Sequence, residues 1–202
     1  MRVLAATVRA HMNRSLPRLL AAALLLSTSA CVTSPPKKPA TPPPATPAPA
    51  KRDSYWKGAN LTGSPKIVVK LGEQRAYFYK GDELAGESRI SSGRRGFETP
   101  TGVYKVIQKD ADHVSNLYGN FVNEAGEVVK SNVDVTKDKP PEGASFQGSK
   151  MPYFLRFHGG YGLHAGRLPG RRASHGCVRL PRFMAQHFYK NVSYGTPVIV
   201  ED

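Results

Sequence analysis

The sequence predicts a mainly β fold, a β-sandwich or partly closed barrel with one or two short helices. Short runs rich in β-branched and aromatic residues recur from residue 65 to the end of the chain, and such runs are typical of strands. Glycine-containing turns separate these runs. Helical spacing of apolar residues is clear only in Pro181–Tyr189, so helices contribute little to the predicted architecture.

The predicted strands begin with a hairpin. Lys66–Leu71 and Gln74–Lys80 flank the dipeptide Gly72-Glu73, an arrangement that favours antiparallel pairing. A second turn follows at Gly81-Asp82. The later strand candidates, each bounded by turn residues, are Leu84–Ser91, Gly102–Gln108, Met151–His158, Tyr161–Ala165 and Thr196–Glu201.

The predicted helix is Pro181–Tyr189, because proline suits a first helical position and apolar residues recur every three or four positions. That apolar stripe predicts a core-facing side. Residues 110–150 are polar and lack a clear period. They predict a loop insertion with a small hairpin at Phe121–Val129, and loops of this length are often substrate-facing lids.

Residues 1–30 are typical of a signal peptide. Basic residues precede the apolar run Leu19–Leu26, which is too short to remain in a bilayer as a spanning helix. Small residues and then Cys31 follow, as in bacterial lipoprotein signals whose cysteine is lipidated. Thr28 stands where such signals usually carry leucine, so ordinary cleavage near Ala30 is the alternative. A start at Met12 would shorten the leader.

Residues 31–54 contain eight prolines. This composition cannot bury an apolar core and favours an extended polyproline conformation. We interpret the segment as a linker, either a spacer of required length or a tail with no length requirement. The folded domain is then 55–202, held in the periplasm or cell envelope by a lipid on Cys31.

The net charge is +14. Loss of the four leader arginines leaves 25 basic against 15 acidic residues, a net charge of +10. Such charge suits nucleic acid, lipid head groups or anionic wall polymers, and it also suits a merely solvated surface. Because no zinc-finger spacing, basic helix or RNP-type aromatic motif is present, we expect no nucleic-acid partner.

The chemistry-bearing residues cluster around the second of two cysteines. Cys31 and Cys177 can form a disulfide in an exported protein, but each lies in its own distinct context. Cys177 suits a nucleophile, with His164 as its base and His175 as the rival base. Nearby arginines favour the thiolate over the thiol; they are Arg171, Arg172 and Arg179. Whether the thiol is ionised at neutral pH depends on its burial and its distance from His164. The amides around Gly176 can hold an oxyanion.

Other interpretations of this cluster remain open. His164, His175 and Cys177 can together bind zinc, although the local pattern lacks a fourth ligand. Cys177 can be an inert core thiol, both histidines can be structural, and short motifs arise by chance.

Residues 65–202 resemble the L,D-transpeptidase catalytic domain, the YkuD family. The resemblance covers nearly the whole predicted domain and follows the family order. Its segments are Ile67–Gln74, Ser92-Gly93, Thr99–Gly102, Met151–Tyr153, Gly162–His164, Ser174–Leu180 and Val192–Val200. Two features depart from it, namely a short loop between His164 and Ser174 and the 110–150 segment, which has no evident equivalent.

The resemblance implies an L,D-transpeptidase-type β fold and an enzyme that acts on peptidoglycan stem peptides. Cys177 would attack the carbonyl between an L-centre and a D-residue, with His164 as general base. A stem amine would resolve the thioester into a 3–3 crosslink, or a protein would be attached to the wall. The resemblance also implies an oxyanion loop at His175 and Gly176, and substrate contacts from Arg179, Ser174 and Tyr153.

Three other functions use the same features. Water as acceptor would give an L,D-carboxypeptidase or a wall-peptide hydrolase. A domain that kept the fold without catalysis would be a wall-binding lipoprotein, although intact His164 and Cys177 argue against it. A basic nucleic-acid-binding module conflicts with the export signal. We expect no metal or organic cofactor and a monomer.

Overall fold

The computed structural model describes residues 53–202. The predicted signal peptide, the lipidation site Cys31 and the linker up to residue 52 lie outside these residues. The elements, in chain order, are β1 (Tyr55–Trp56), β2 (Pro65–Lys70), β3 (Arg75–Lys80), β4 (Glu83–Arg89), β5 (Gly102–Lys105), β6 (Gln108–Asp110), β7 (Val114–Val122), β8 (Val128–Asp134), β9 (Ser145–Lys150), β10 (Phe154–His158), β11 (Tyr161–Ala165), β12 (Val178–Leu180), α1 (Arg182–Asn191) and β13 (Pro197–Glu201).

The largest sheet, here the main sheet, has six strands in the order β1-β4-β3-β2-β13-β5. The predicted hairpin is confirmed, since β2 pairs antiparallel with β3 and Ile67 lies opposite Phe78. Alternate residues of these strands are buried, as period-two patterning requires of a sheet with one face on the core. The predicted last strand, β13, pairs parallel with β2.

A second sheet of four strands, here the site sheet, has the order β12-β11-β10-β6. The central pair β10 and β11 is antiparallel, whereas β11 and β12 run parallel. A reciprocal pair of backbone hydrogen bonds joins Ser91, just after β4, to Arg179 in β12. The site sheet is thereby tied to the end of a main-sheet strand.

A shared core fixes the two sheets relative to each other. One cluster of buried side chains includes Ile67 and Phe78 of the main sheet, Leu163 of the site sheet, and Phe188 of α1. The rings of Phe78 and Phe188 lie 5.0 Å apart, within the range of favourable aromatic pairs. The mainly β, sandwich-like prediction is confirmed, and the sheets formed by residues 53–202 stay open rather than closing into a barrel.

The prediction of one strand at Gly102–Gln108 was wrong, because the chain changes sheets within it. β5 ends at Lys105 in the main sheet and β6 begins at Gln108 in the site sheet. The N–H of Val106 donates to Thr196 beside β13, whereas the N–H of Ile107 donates to Arg156 in β10. Adjacent residues thus pair with different sheets.

The prediction that 110–150 is mainly loop was also wrong. Residues 114–150 form a three-stranded antiparallel sheet, β8-β7-β9, here the insertion sheet. Phe121, Val122 and Val133 are buried, so the segment has an apolar cluster of its own. The hairpin expected at Phe121–Val129 is the turn between β7 and β8.

The predicted helix is confirmed as α1. Met184, Ala185 and Phe188 are buried against the sheets. Phe183 is largely exposed, so the core-facing stripe is narrower than the sequence indicated. Across residues 53–202 we find no helix with the length and apolar character needed to cross a membrane.

Candidate active site

The register of β11 and β12 brings three predicted residues to one face of the site sheet. His164 lies directly opposite Arg179 in this parallel ladder. Cys177 immediately precedes β12 and stands two positions before Arg179, and residues two apart in an extended chain point the same way. The three side chains line a common cavity. The structure therefore assembles the predicted nucleophile, base and arginine.

The His164 ring is buried and held by its own backbone. Its Nδ1 lies 2.9 Å from the carbonyl oxygen of Ala165, a contact that requires the proton on Nδ1 because a carbonyl can only accept. Nε2 is then the basic nitrogen of the neutral ring. Burial lowers the pKa of His164 to about 4, and the positive charge of Arg179 contributes to the lowering. The imidazole is thus neutral at physiological pH, as a base must be.

The Cys177 thiol faces backbone polar groups. Its Sγ lies 3.6 Å from the carbonyl oxygen of Gly160. Burial raises the pKa of Cys177, against opposing contributions from the Gly162 amide and from Arg156 and Arg179. Positive charge thus favours the thiolate, as the sequence indicated, but desolvation of the charged form outweighs it.

One of the arginines expected to favour the thiolate is paired elsewhere. Arg172 forms an ion pair with Asp202, at 3.2 Å. Arg156 contributes beside Arg179, with its guanidinium oriented by Gln108 and by the carbonyl of Gly159.

The turn that carries Cys177 is braced by Ser174. Its buried hydroxyl donates to the carbonyl of Cys177 and accepts from the N–H of Gly176. Gly176 has a φ of +115°, and a Cβ there would stand 2.5 Å from Cε1 of Tyr161. Only glycine fits this position without rearrangement. The Ser174 hydroxyl is committed to shaping the turn, which leaves the predicted substrate contact without direct support.

The segments that resemble the family upstream of the cysteine support this turn. Thr99 Oγ1 accepts from the N–H of Gly93 at 3.0 Å and donates to the carbonyl of Gly176 at 2.7 Å. Gln74 holds Ser92 through both ends of its amide, and the carbonyl of Ser92 accepts from the N–H of Ser174. A continuous hydrogen-bonded path therefore runs from Gln74, just before β3, to the cysteine turn.

His175 is enclosed by side chains from distant parts of the chain. Arg94 Nη2 lies 2.8 Å from His175 Nε2, and the ring of Tyr118 stacks on the imidazole. Burial and the charge of Arg94 lower the pKa of His175 to about 4. Because Nε2 already accepts a hydrogen bond, His175 is poorly suited to be the base.

The shared cavity has a volume of about 730 Å³. The insertion sheet forms one wall, and the site sheet with the cysteine turn forms the other. The charged residues of the lining are all basic: Lys150, Arg156, Arg167 and Arg179. A lining with four cationic side chains and, within 53–202, no carboxylates favours an anionic ligand.

Tyr153 is not brought to the cavity. Its φ is +60°, its N–H donates to Ala111, and its ring packs 5.8 Å from that of Tyr189 in α1. Arg182 covers the ring at 5.2 Å. The expected substrate contact from Tyr153 thus has no geometric support here, since the side chain is engaged with the helix.

The sequence interpretation missed Arg94, Tyr118 and Arg156. Arg94 follows the Ser92-Gly93 motif, and that position was the available signal. Tyr118 lies in a segment without clear periodicity, and its contact with His175 joins residues 57 positions apart.

Within residues 53–202, no group of three or more histidine, cysteine or acidic side chains is arranged to hold a metal ion, so the geometry gives the zinc alternative no support.

Comparison with known proteins adds the family. Residues 64–200 match the YkuD family, described as the L,D-transpeptidase catalytic domain. This chain belongs to that family. It is 27% identical over 137 residues to the probable L,D-transpeptidase ErfK/SrfK of Escherichia coli K12, a match that covers 67% of this chain and 44% of the relative. It is 30% identical over 138 residues to the probable L,D-transpeptidase YbiS of the same strain, covering 65% and 43%.

Solved structures of the same family share the fold. The L,D-transpeptidase of Stackebrandtia nassauensis superposes with a TM-score of 0.51 at 19% identity, over 70% of this chain and 57% of that one. The Mycobacterium smegmatis L,D-transpeptidase superposes with a TM-score of 0.52 at 22% identity, over 69% and 59%. The chain spans less than half the length of the curated relatives it matches.

Proposed function

We propose that this chain is a peptidoglycan L,D-transpeptidase that works through a thioester on Cys177. The observation that carries the proposal is the placement of Cys177 and His164 on one face of the site sheet, at a common cavity. A neutral histidine with a fixed tautomer and a thiol at one cavity are the minimal machinery for acyl transfer. Membership of the family selects the substrate class, the stem peptide of peptidoglycan.

The resting pair is neutral, and this dictates when the proton moves. The thiol is not ionised at neutral pH because burial raises its pKa. As sulfur forms a bond to the carbonyl carbon of the donor, its proton passes to Nε2 of His164. Collapse of the tetrahedral intermediate breaks the C–N bond, and His164 returns the proton to the departing amine of the D-residue. The product is a thioester and a free D-amino acid.

The developing oxyanion is held by amides of the cysteine turn, around His175 and Gly176. The Gly176 N–H donates to Ser174 Oγ at 3.0 Å, so it must share or exchange that bond to serve the oxyanion. The Gly162 amide, which already faces the sulfur of Cys177, is a second donor at the same place. Donors fixed before the reaction lower the barrier most effectively.

The donor is recognised through its negative charge. Arg179 shares the cavity face with Cys177, and Arg156 is oriented toward the same region by two hydrogen bonds. Both guanidiniums are suited to hold a carboxylate of the stem peptide. An amine of a second stem then attacks the thioester, which gives a 3–3 crosslink. An amine of a protein in its place gives attachment of that protein to the wall.

The enzyme works in the periplasm or cell envelope, as a monomer tethered by a lipid on Cys31. Support for the tether is the signal-like leader and the proline-rich spacer of the sequence. Mass spectrometry of the membrane-extracted chain should show a diacylglyceryl-modified N-terminal Cys31, and the variant Cys31→Ser should lose it. A mature chain that begins elsewhere, without lipid, would exclude the tether.

The function is tested with purified protein and a disaccharide-tetrapeptide donor, followed by mass spectrometry. We expect dimers of two stems minus one D-alanine, together with a transient adduct on Cys177. The matched control is Cys177→Ala, which should form neither product nor adduct while keeping the same unfolding temperature. Loss of D-alanine without dimers would indicate a carboxypeptidase. Absence of both, with a folded protein, would leave a wall-binding role.

A further inference from the structure

The side chain of His175 is a junction between three separate parts of the molecule. Arg94 comes from the turn after β4, Tyr118 comes from the insertion sheet, and His175 belongs to the cysteine turn. A guanidinium only donates hydrogen bonds, so Nε2 of His175 is an acceptor and the ring proton lies on Nδ1. The imidazole is held as a neutral ring with a fixed orientation.

The insertion sheet contributes the stacking surface of this junction. The Tyr118 and His175 rings lie 4.3 Å apart, with an interplanar angle of 18°. Tyr118 is itself fixed, because its N–H donates to Ser115 Oγ and it pairs with Asp134 of β8. Phe97 meets the edge of the imidazole at 4.9 Å and 80°. The histidine ring is therefore confined on more than one side.

The confined ring lies immediately before the residues of the proposed chemistry. Gly176 follows His175 and packs against Tyr161, and Cys177 follows Gly176. With a φ of +115° at Gly176, the glycine offers little intrinsic restraint on the peptide that carries the nucleophile. Restraint must come from side chains: Ser174 and Thr99 hydrogen-bond the backbone of this turn, and the His175 ring restrains the residue that precedes the flexible position.

We propose that Tyr118 is a positioning residue for the cysteine turn. It acts through the stack on His175, and so makes the insertion sheet a part of the catalytic apparatus rather than only a wall of the cavity. The catalytic consequence rests on the proposed function, whereas the ordering of the turn does not. The stack requires an aromatic ring but not the Tyr118 hydroxyl, for which the structure shows no hydrogen-bond partner on His175.

A substrate-binding role is the rival explanation, because Tyr118 also lines the cavity. The two roles differ in what they change. Loss of a substrate contact weakens donor binding and leaves the free enzyme untouched. Loss of a positioning contact loosens the cysteine turn in the absence of substrate and slows acylation at saturating donor.

The test compares the full chain with Tyr118→Phe, Tyr118→Leu and Tyr118→Ala. The control is Val128→Ala, an exposed aliphatic residue of the same sheet that does not line the cavity. Amide hydrogen exchange is measured without substrate over residues 172–178, with β10 and β11 as internal references. Acylation is measured separately with the disaccharide-tetrapeptide, as the rate at saturation and the KM.

We expect Tyr118→Leu and Tyr118→Ala to speed exchange of the cysteine turn about three- to tenfold, and to slow saturated acylation by about the same factor. Tyr118→Phe should keep the exchange rate of the parent, because the stack needs only the ring, and Val128→Ala should match the parent in both measurements. Unchanged exchange in Tyr118→Leu would overturn the proposal, as would a raised KM with unchanged exchange, which indicates substrate contact. If the parent itself shows no acylation, the proposed function is refuted. The hydrogen-exchange rates of the Tyr118 variants still show whether Tyr118 orders the cysteine turn.

Discussion

His164 lies opposite Arg179 in the parallel ladder of β11 and β12, and both side chains face the cavity. Burial disfavours a positive charge on the imidazole and lowers the pKa of His164, and the guanidinium of Arg179 acts in the same direction. The hydrogen bond from Nδ1 to the Ala165 carbonyl leaves Nε2 as the basic nitrogen. Burial and Arg179 thus keep the proposed base neutral, and the Ala165 carbonyl sets its tautomer.

His164→Ala is expected to slow acylation more than His175→Ala. Loss of a general base costs roughly 100- to 10,000-fold, whereas His175 already accepts a hydrogen bond from Arg94 and acts only on the turn. For His175→Ala we expect about a tenfold loss. The measurement is the rate of Cys177 adduct formation with the disaccharide-tetrapeptide at saturation. The reverse order of the two losses would assign the base to His175.

Local patterning was sufficient for the parts of the fold that have a strong period. The β2–β3 hairpin alternates buried and exposed positions, and α1 carries apolar residues at helical spacing. Strand β8 shows why the insertion sheet was missed: its first five residues are all exposed, so no alternation marks it. The break after Lys105 was missed because it depends on which sheet each amide meets.

The site was predictable where its residues are close in sequence to the cysteine. His164 and Cys177 come together because β11 and β12 are neighbours in the sheet. The Tyr118–His175 contact joins the insertion sheet to the cysteine turn, so residues far apart in the chain make it and no local sequence pattern marks it. The direction of the Cys177 pKa shift could not be predicted, because sequence neighbours such as Arg172 pair with other residues and burial, the largest cause, is a property of the folded site.

The pH dependence of Cys177 reactivity should show that the resting nucleophile is a thiol. Because burial raises the pKa of Cys177 above its ordinary value of 9.0, alkylation by iodoacetamide should continue to accelerate above pH 9. In the Cys31→Ser variant, Cys177 carries the one thiol of the chain, so the alkylation rate reports on Cys177. A rate that reaches its plateau below pH 7 would show a stabilised thiolate at rest and contradict the proton-transfer order proposed above.

The free energy of unfolding should fall as the pH falls, over a window set by His164 and His175. Both folded pKa values, of about 4, lie below the ordinary value of 6.5, so the unfolded chain binds these protons more readily. The contribution of His164 is complete above about pH 6.5 and is lost as the pH falls to about 4, by up to about 3 kcal/mol. Urea unfolding at several pH values measures the slope. His164→Gln should reduce the slope and leave the part due to His175, whereas an equally steep slope in that variant would refute the assignment.

Thr99→Val is expected to destabilise the cysteine turn. The buried hydroxyl bridges the N–H of Gly93 and the carbonyl of Gly176, and its loss leaves both groups unpaired at a cost of about 2 kcal/mol or more. Thr101→Val is the matched control, since Thr101 is exposed two residues away. The urea midpoint of unfolding and the acylation rate should both fall for Thr99→Val, and neither should fall for Thr101→Val. Equal effects of the two substitutions would show that the bridge contributes nothing specific.

Gly176→Ala is expected to distort the turn more than Gly170→Ala does. Both glycines have positive φ, +115° and +80°, so each substitution introduces backbone strain of about 1–3 kcal/mol. A Cβ at Gly176 would also stand 2.5 Å from the ring of Tyr161, whereas nothing lies within 4 Å of one at Gly170. The additional clash must move either Tyr161 or the peptide that carries Cys177. We therefore expect both variants to lower the urea midpoint, but only Gly176→Ala to reduce acylation by tenfold or more, on the order of a 1 Å displacement of the nucleophile. If Gly170→Ala slowed acylation as much, backbone strain anywhere in the 165–176 loop would be the cause, and close packing against Tyr161 would not.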